Sequence, residues 1–135
     1  MVNNKIGYAC INMALSYPTK YGNKPRGTQP ITTNRSMIKR TFEDKGVDYA
    51  SELILQNVKD LNQIISWNVI NGYDFYRMSS DITPWKTEYE WDDLKDIEQI
   101  RQWFHSAGTM ATTHGIRLTF HPGPFNVLVS PNENV

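Results

Sequence analysis

The chain has 135 residues, 39% of them hydrophobic, which is enough for one domain with a modest core. Its formal net charge is zero, so total charge identifies no partner, and its single cysteine excludes an internal disulfide. The sequence contains no apolar stretch long enough to span a bilayer, and its polar start is unlike a signal peptide. We therefore expect an intracellular protein, cytoplasmic or nuclear, with no membrane contact.

Strand and helix patterns alternate along the chain. Lys5 to Cys10 predicts a short first strand. The long polar segment that follows is typical of a functional loop. From about Val47, apolar residues recur at spacings of three and four, which predicts a helix ending at Asn71 and Gly72.

The second half of the chain repeats this pattern. Asp74 to Ser79 predicts a second strand, apolar spacing from Leu94 to Ala111 predicts a second helix that ends at His114 and Gly115, and Ile116 to Phe120 predicts a third strand. Strands separated by whole helices indicate an α/β fold with a parallel sheet. In such folds functional groups gather at the carboxyl ends of the strands, which is where the third strand meets His121.

Charge is unevenly distributed along the chain. Residues 11–46 contain seven basic and two acidic residues, whereas residues 81–98 contain seven acidic and two basic ones. A basic loop that also carries Tyr17 and Tyr21 suits a nucleic-acid backbone with nearby bases. A solvated surface loop would account for the same charges.

Four segments, in this order and at this spacing, resemble the N-terminal part of the UV damage endonucleases: Ile6–Asn12, Thr32–Arg35, Phe75–Trp85 and Leu118–Asn126. The resemblance implies a metal-dependent (β/α) barrel of the TIM type that incises DNA immediately 5′ to UV photoproducts. Residues 1–135 would then be a single partial domain holding roughly the first three strands and two helices. We expect the strands in the order one, two, three, both helices on one face, and an uncovered apolar inner face.

The resemblance also implies site residues. His121 matches a metal ligand of the family, and Asp81 lies where relatives carry a histidine or aspartate ligand. Both side chains suit a divalent metal, with Mn²⁺ the first candidate. Without the resemblance, His121 would be read as a strand-end residue bonded to the backbone, and Asp81 as a helix cap or loop residue.

Further residues are expected to contact DNA. Tyr8 and Asn12 match family positions near the DNA, although Tyr8 alone would be read as a core aromatic. Phe125 preserves an aromatic that probes damaged bases, while Pro124 replaces the glutamine that usually precedes it. The basic loop residues expected to hold the DNA backbone are Arg35, Lys39 and Arg40.

The family's other metal ligands belong to later strands, so we expect this chain alone to be inactive. Its expected partners are damaged double-stranded DNA and the missing C-terminal part of the barrel. Two alternatives are a non-catalytic module that binds DNA or another partner, and a different metal-dependent barrel enzyme such as a sugar isomerase relative.

Overall fold

A computed structural model describes residues 7–9, 11–78 and 82–120. Three strands, β1 (Gly7–Ala9), β2 (Phe75–Met78) and β3 (Arg117–Phe120), form one parallel sheet in the order β1-β2-β3. Each lies within the span that the sequence predicts for it. The predicted α/β fold with a parallel sheet is confirmed, while a closed TIM-type barrel and the single partial domain stay predictions.

The segments between the strands are helical. They contain α1 (Met13–Ser16), α2 (Pro18–Tyr21), α3 (Lys39–Asn71), α4 (Ile97–Thr113) and two 3-10 turns, Lys86–Glu88 and Trp91–Asp93. The short helices α1 and α2 lie in the long loop after β1, which the sequence marks only as polar. No helix in the described ranges is both long and apolar enough to cross a membrane.

Helix α3 is broken near its start. Gly46 has φ +72° and ψ −163°, which is outside the helical region and is readily adopted only by glycine. The helix that continues from Val47 is the one the sequence predicts, and it ends at Gly72 in the left-handed conformation, with φ +79°. The turns from Lys39 to Lys45 are an addition that the apolar spacing does not indicate.

Both long helices pack on one face of the sheet, as expected. Tyr76 and Met78 of β2 are buried on that face, beside Tyr8 of β1 and Leu118 of β3. The core residues of α3 and α4 are Ala50, Ile54, Val58, Leu61, Ile64, Ile65, Ile100, Phe104, Ala107 and Ala111. Most of this list lies on the apolar stripes predicted for the two helices.

The opposite face of the sheet differs from expectation. Because side chains alternate along a strand, that face carries Gly7, Phe75, Arg77, Arg117 and Thr119. Arg77 and Arg117 are exposed, and Phe75 is the only large apolar residue of the five. The prediction of an apolar inner face is therefore wrong for the described strands, since charged and small residues occupy the alternate positions.

The pairing of β1 with β2 depends on a close backbone approach at Gly7. A Cβ atom at this position would lie 1.9 Å from the carbonyl oxygen of Phe75, the residue beside it in the sheet. No side chain fits at that distance. Gly7 thus fixes where β1 lies, and with it the start of the loop that follows.

Candidate nucleic-acid interface

Two of the predicted DNA-binding residues, Tyr8 and Asn12, are joined at the carboxyl end of β1. The Asn12 side-chain amide donates to the Tyr8 hydroxyl at 2.7 Å, and that hydroxyl donates to Oδ1 of Asn68 on α3 at 2.5 Å. Asn12 Oδ1 accepts a hydrogen bond from the backbone N–H of Leu15 at 2.9 Å and so caps α1. The two residues lie together at one end of the strand, and their contacts with DNA stay predictions.

The Tyr8 ring is held by other aromatic residues. Its centroid lies 5.1 Å from that of Tyr76, 5.6 Å from Tyr73 and 6.4 Å from Trp67. Burial raises the pKa of the Tyr8 hydroxyl above its ordinary 10.0, so the proton that it donates to Asn68 is retained further into the alkaline range. Tyr8 therefore acts as a fixed support beside an open groove of about 380 Å³ that it lines together with Asn12.

Arg35, a predicted phosphate contact, is occupied by internal partners. Its guanidinium forms an ion pair with Asp60 at 2.7 Å and donates to the carbonyl oxygens of Thr32, at 2.7 Å, and Pro30, at 3.1 Å. The Asp60 side chain is only 2% exposed, and it also accepts hydrogen bonds from the Thr32 N–H at 3.1 Å and Gln56 Nε2 at 3.0 Å. These contacts fasten the loop after β1 to α3.

A buried amide, Asn57 of α3, connects the same loop to the next one. Its Oδ1 accepts from the backbone N–H of Arg35, and its Nδ2 donates to the carbonyl oxygens of Arg35 and Ile82, all at 3.1 Å. Ile82 belongs to the loop that follows β2. One fully buried side chain therefore joins the loops at the carboxyl ends of two neighbouring strands.

Lys39 and Arg40 lie at the start of α3 and are exposed. Lys39 has one weak ion pair, with Glu43 at 3.8 Å, and Arg40 has no ion pair with a described residue. The residue before the helix, Ile38, provides no side-chain cap. Lys39 and Arg40 are thus two exposed cations beside the free N–H groups of the first helical turn, where positive charge is slightly unfavourable.

The remaining predicted site residues, Asp81, His121 and Phe125, lie outside the described residues, as does Pro124. Within the described ranges no group of three His, Cys, Asp or Glu side chains is placed to hold a metal ion. The metal ligands and the aromatic probe therefore stay predictions.

Sequence reasoning missed two residues that organise this edge. Asn57 stands three residues after Ile54 and four before Leu61, at the same spacing as the apolar residues of α3. A polar residue at such a core position was the available signal. Asp60 lies next to that stripe of apolar residues, and its helical spacing gives no sign that the loop after β1 covers it. Pairing Asp60 with Arg35 requires the three-dimensional path of that loop.

Comparison with known proteins decides the family. The family model described as UV-endonuclease UvdE matches residues 4–135. The chain belongs to the UvdE family. This confirms the resemblance drawn from the four sequence segments.

Several UvdE relatives are similar over 97% of this chain. A putative UV-damage endonuclease of Acanthamoeba polyphaga mimivirus is 35% identical, and the match covers 37% of that protein. A UV DNA damage endonuclease of Clostridium perfringens and a UV-damage endonuclease of Schizosaccharomyces pombe are each 30% identical, over 27% and 20% of their lengths. The chain thus spans well under half the length of these relatives.

Proposed function

We propose that this chain forms the DNA-binding edge of a UV-damage endonuclease. The observation that carries the proposal is a stretch from Gly7 to Phe42 with six basic residues and no acidic one. Four of the six lie in the loop between β1 and α3, and two, Lys39 and Arg40, lie in the first turn of α3. Asp60 and Asn57 hold this loop at the carboxyl edge of the sheet. Membership of the UvdE family supports DNA as the ligand. Neither alternative, the non-catalytic module nor the sugar isomerase relative, is better supported by the described residues.

The basic residues have different proposed roles. Lys39 and Arg40 are exposed, so their charges are proposed to bind phosphates. Arg35 contributes by holding the loop, because its internal partners already use both terminal nitrogens of its guanidinium. Tyr8 and Asn12 fix the end of β1, and Phe125 is proposed to enter the distorted step of a damaged duplex.

Incision immediately 5′ to the lesion, with a divalent metal such as Mn²⁺, is the finer part of the proposal. His121 and Asp81 are the proposed ligands that this chain contributes. A bound metal would polarise the scissile phosphate and provide hydroxide near neutral pH. Lesion preference would follow from the lower cost of bending and unstacking DNA at a photoproduct.

The test measures binding and incision separately. Fluorescence anisotropy with one duplex, irradiated or not, should show tighter binding to the irradiated form and a steep salt dependence. Reversing the charge of Lys39 and Arg40 should weaken binding to both forms alike, whereas Phe125→Ala should remove only the preference. Equal affinity of the unsubstituted chain for both forms would overturn the proposal.

Incision is followed as nicking of irradiated supercoiled plasmid in the presence of Mn²⁺, by this chain alone, which we expect to be inactive, and by this chain with a polypeptide that carries the family's later strands. If His121 holds the metal, His121→Ala should abolish nicking by the combined polypeptides and leave duplex affinity unchanged. Binding without nicking by the unsubstituted chain, even with the later strands added, would favour the non-catalytic alternative. Nicking that survives both His121→Ala and Asp81→Ala would refute these two ligand assignments.

A further inference from the structure

The two short helices after β1 expose an unusual amount of aromatic surface. Tyr17, at the junction of α1 and α2, is 48% exposed, and Tyr21, at the end of α2, is 49% exposed. Their rings meet edge to face, with centroids 5.9 Å apart and planes at 87°. Met13, one turn earlier, is 48% exposed. The two tyrosines leave about half of their surface to water.

This surface is held by its backbone. Asn12 caps α1, and Ile31 N–H donates to the Leu15 carbonyl at 2.9 Å from the far end of the loop. A Cβ at Gly22 would lie 2.5 Å from the Ala14 carbonyl oxygen, so the end of α2 sits directly against α1. The tyrosines are therefore presented by a fixed scaffold, and a ligand would bind without first ordering it.

The charged residues nearest to the tyrosines along the chain are all basic. Lys20 Nζ lies 5.1 Å from the centroid of the Tyr21 ring, and Lys24 and Arg26 are exposed without an ion-pair partner among the described residues. The nearest acidic residue along the sequence after the pair is Glu43. We call Tyr17, Tyr21, Lys20 and Lys24 the aromatic–basic surface.

We propose that the aromatic–basic surface binds one DNA strand, with an unpaired base stacked on Tyr17 or Tyr21 and the flanking phosphates held by Lys20 and Lys24. Exposed aromatic rings beside lysines are what base stacking with backbone contact requires. The surface directly follows Asn12 in the chain, because Asn12 caps α1. The inference rests on the proposed function and deepens it by assigning a place for a single strand to the same basic stretch.

The test uses the full chain and two fluorescent strands of about 12 nucleotides, a length within the range of single-strand binders: oligo-dT and an abasic strand with the same phosphates. The unsubstituted chain should bind oligo-dT about 10-fold more tightly than the abasic strand, as expected for one stacked base. Changing Tyr17 and Tyr21 together to alanine should remove this preference and leave binding to the abasic strand unchanged. The matched change of both residues to phenylalanine should retain it.

The charge contribution has its own control. The salt dependence is measured as the slope of the logarithm of the binding constant against the logarithm of the salt concentration. Lys20→Ala with Lys24→Ala should make this slope shallower by about 1.4, since each phosphate contact on a single strand contributes about 0.7. Lys45→Ala should leave the slope unchanged, although Lys45 also lies over a tyrosine, 4.5 Å from the Tyr49 centroid. Lys45 follows two acidic residues, Glu43 and Asp44, and lies outside the proposed surface.

The outcomes separate this inference from the proposed function. The stacking site is overturned if the unsubstituted chain binds oligo-dT and the abasic strand equally. It is also overturned if the preference for oligo-dT survives the loss of both tyrosine rings. Either result would count even if irradiated duplex is still bound. Loss of binding to both strands in the alanine variant, with an altered circular dichroism spectrum, would instead make the tyrosines structural and also overturn it. An unsubstituted chain that binds no DNA of any kind would refute the proposed function as well.

Discussion

The Arg35–Asp60 ion pair makes the firmest stability prediction. Asp60 is 2% exposed and Arg35 is 25% exposed, so Arg35→Met leaves a buried carboxylate without its cation. Removing one partner of a fully buried pair costs about 3–5 kcal/mol. Partial exposure of Arg35 reduces this, and we expect the free energy of unfolding to fall by about 2–4 kcal/mol.

Urea unfolding followed by circular dichroism measures this loss. With a slope of about 2 kcal/mol per molar urea, the midpoint should fall by about 1–2 M. Lys95→Met is the matched control, because Lys95 pairs with Glu52 at 3.3 Å in an exposed position, and such pairs contribute less than about 1 kcal/mol. Combining Arg35→Met with Asp60→Asn should restore part of the loss, since it removes the uncompensated charge. A shift for Arg35→Met no larger than that of the control would refute this account of the loop.

Three further changes test other parts of the fold. Gly7→Ala should detach β1, because the new Cβ would lie 1.9 Å from the Phe75 carbonyl oxygen, and faster amide exchange of β1 would report it. Asn12→Ala should lower the free energy of unfolding by about 1 kcal/mol, because it removes the side-chain cap of α1. Urea unfolding measures this, and an unchanged midpoint would contradict the cap assignment. Burial raises the pKa of Tyr89 above its ordinary 10.0, so the folded chain keeps a proton that the unfolded chain releases, and stability should fall as pH rises beyond about 10. Tyr89→Phe should lower the free energy of unfolding by about 1 kcal/mol near neutral pH, because the Tyr89 hydroxyl donates a hydrogen bond to the Pro84 carbonyl oxygen. Above pH 10 the stability of this variant should decline less than that of the unsubstituted chain. An equal decline would contradict the role given to Tyr89.

Much of the fold follows from local sequence patterns. Apolar spacing from Val47 onward predicted α3 and its end at Gly72, because a helix that buries one face must repeat its apolar residues every three to four positions. The pattern did not predict the start at Lys39. Those first turns are polar and exposed, and the break at Gly46 separates them from the apolar stripe.

The candidate site was predictable to a smaller extent. Tyr8 and Asn12, which the resemblance assigns to the site, lie together because they are four residues apart at the end of one strand. That the other assigned residues share this edge stays a prediction. The internal role of Arg35 could not be predicted from neighbouring residues in the sequence. A basic residue in a polar loop looks free in the sequence, and only the path of the loop across α3 reveals the carboxylate beneath it.

Asn57 has a consequence for how the two strand-end loops respond to ligands. An amide can donate and accept at once, which neither aspartate nor leucine can do, so this residue holds Arg35 and Ile82 together through a single side chain. A displacement of one loop must therefore either break these hydrogen bonds or carry the other loop with it. Thermodynamic linkage makes the effect mutual, so whatever stabilises the position of one loop stabilises the position of the other by the same free energy.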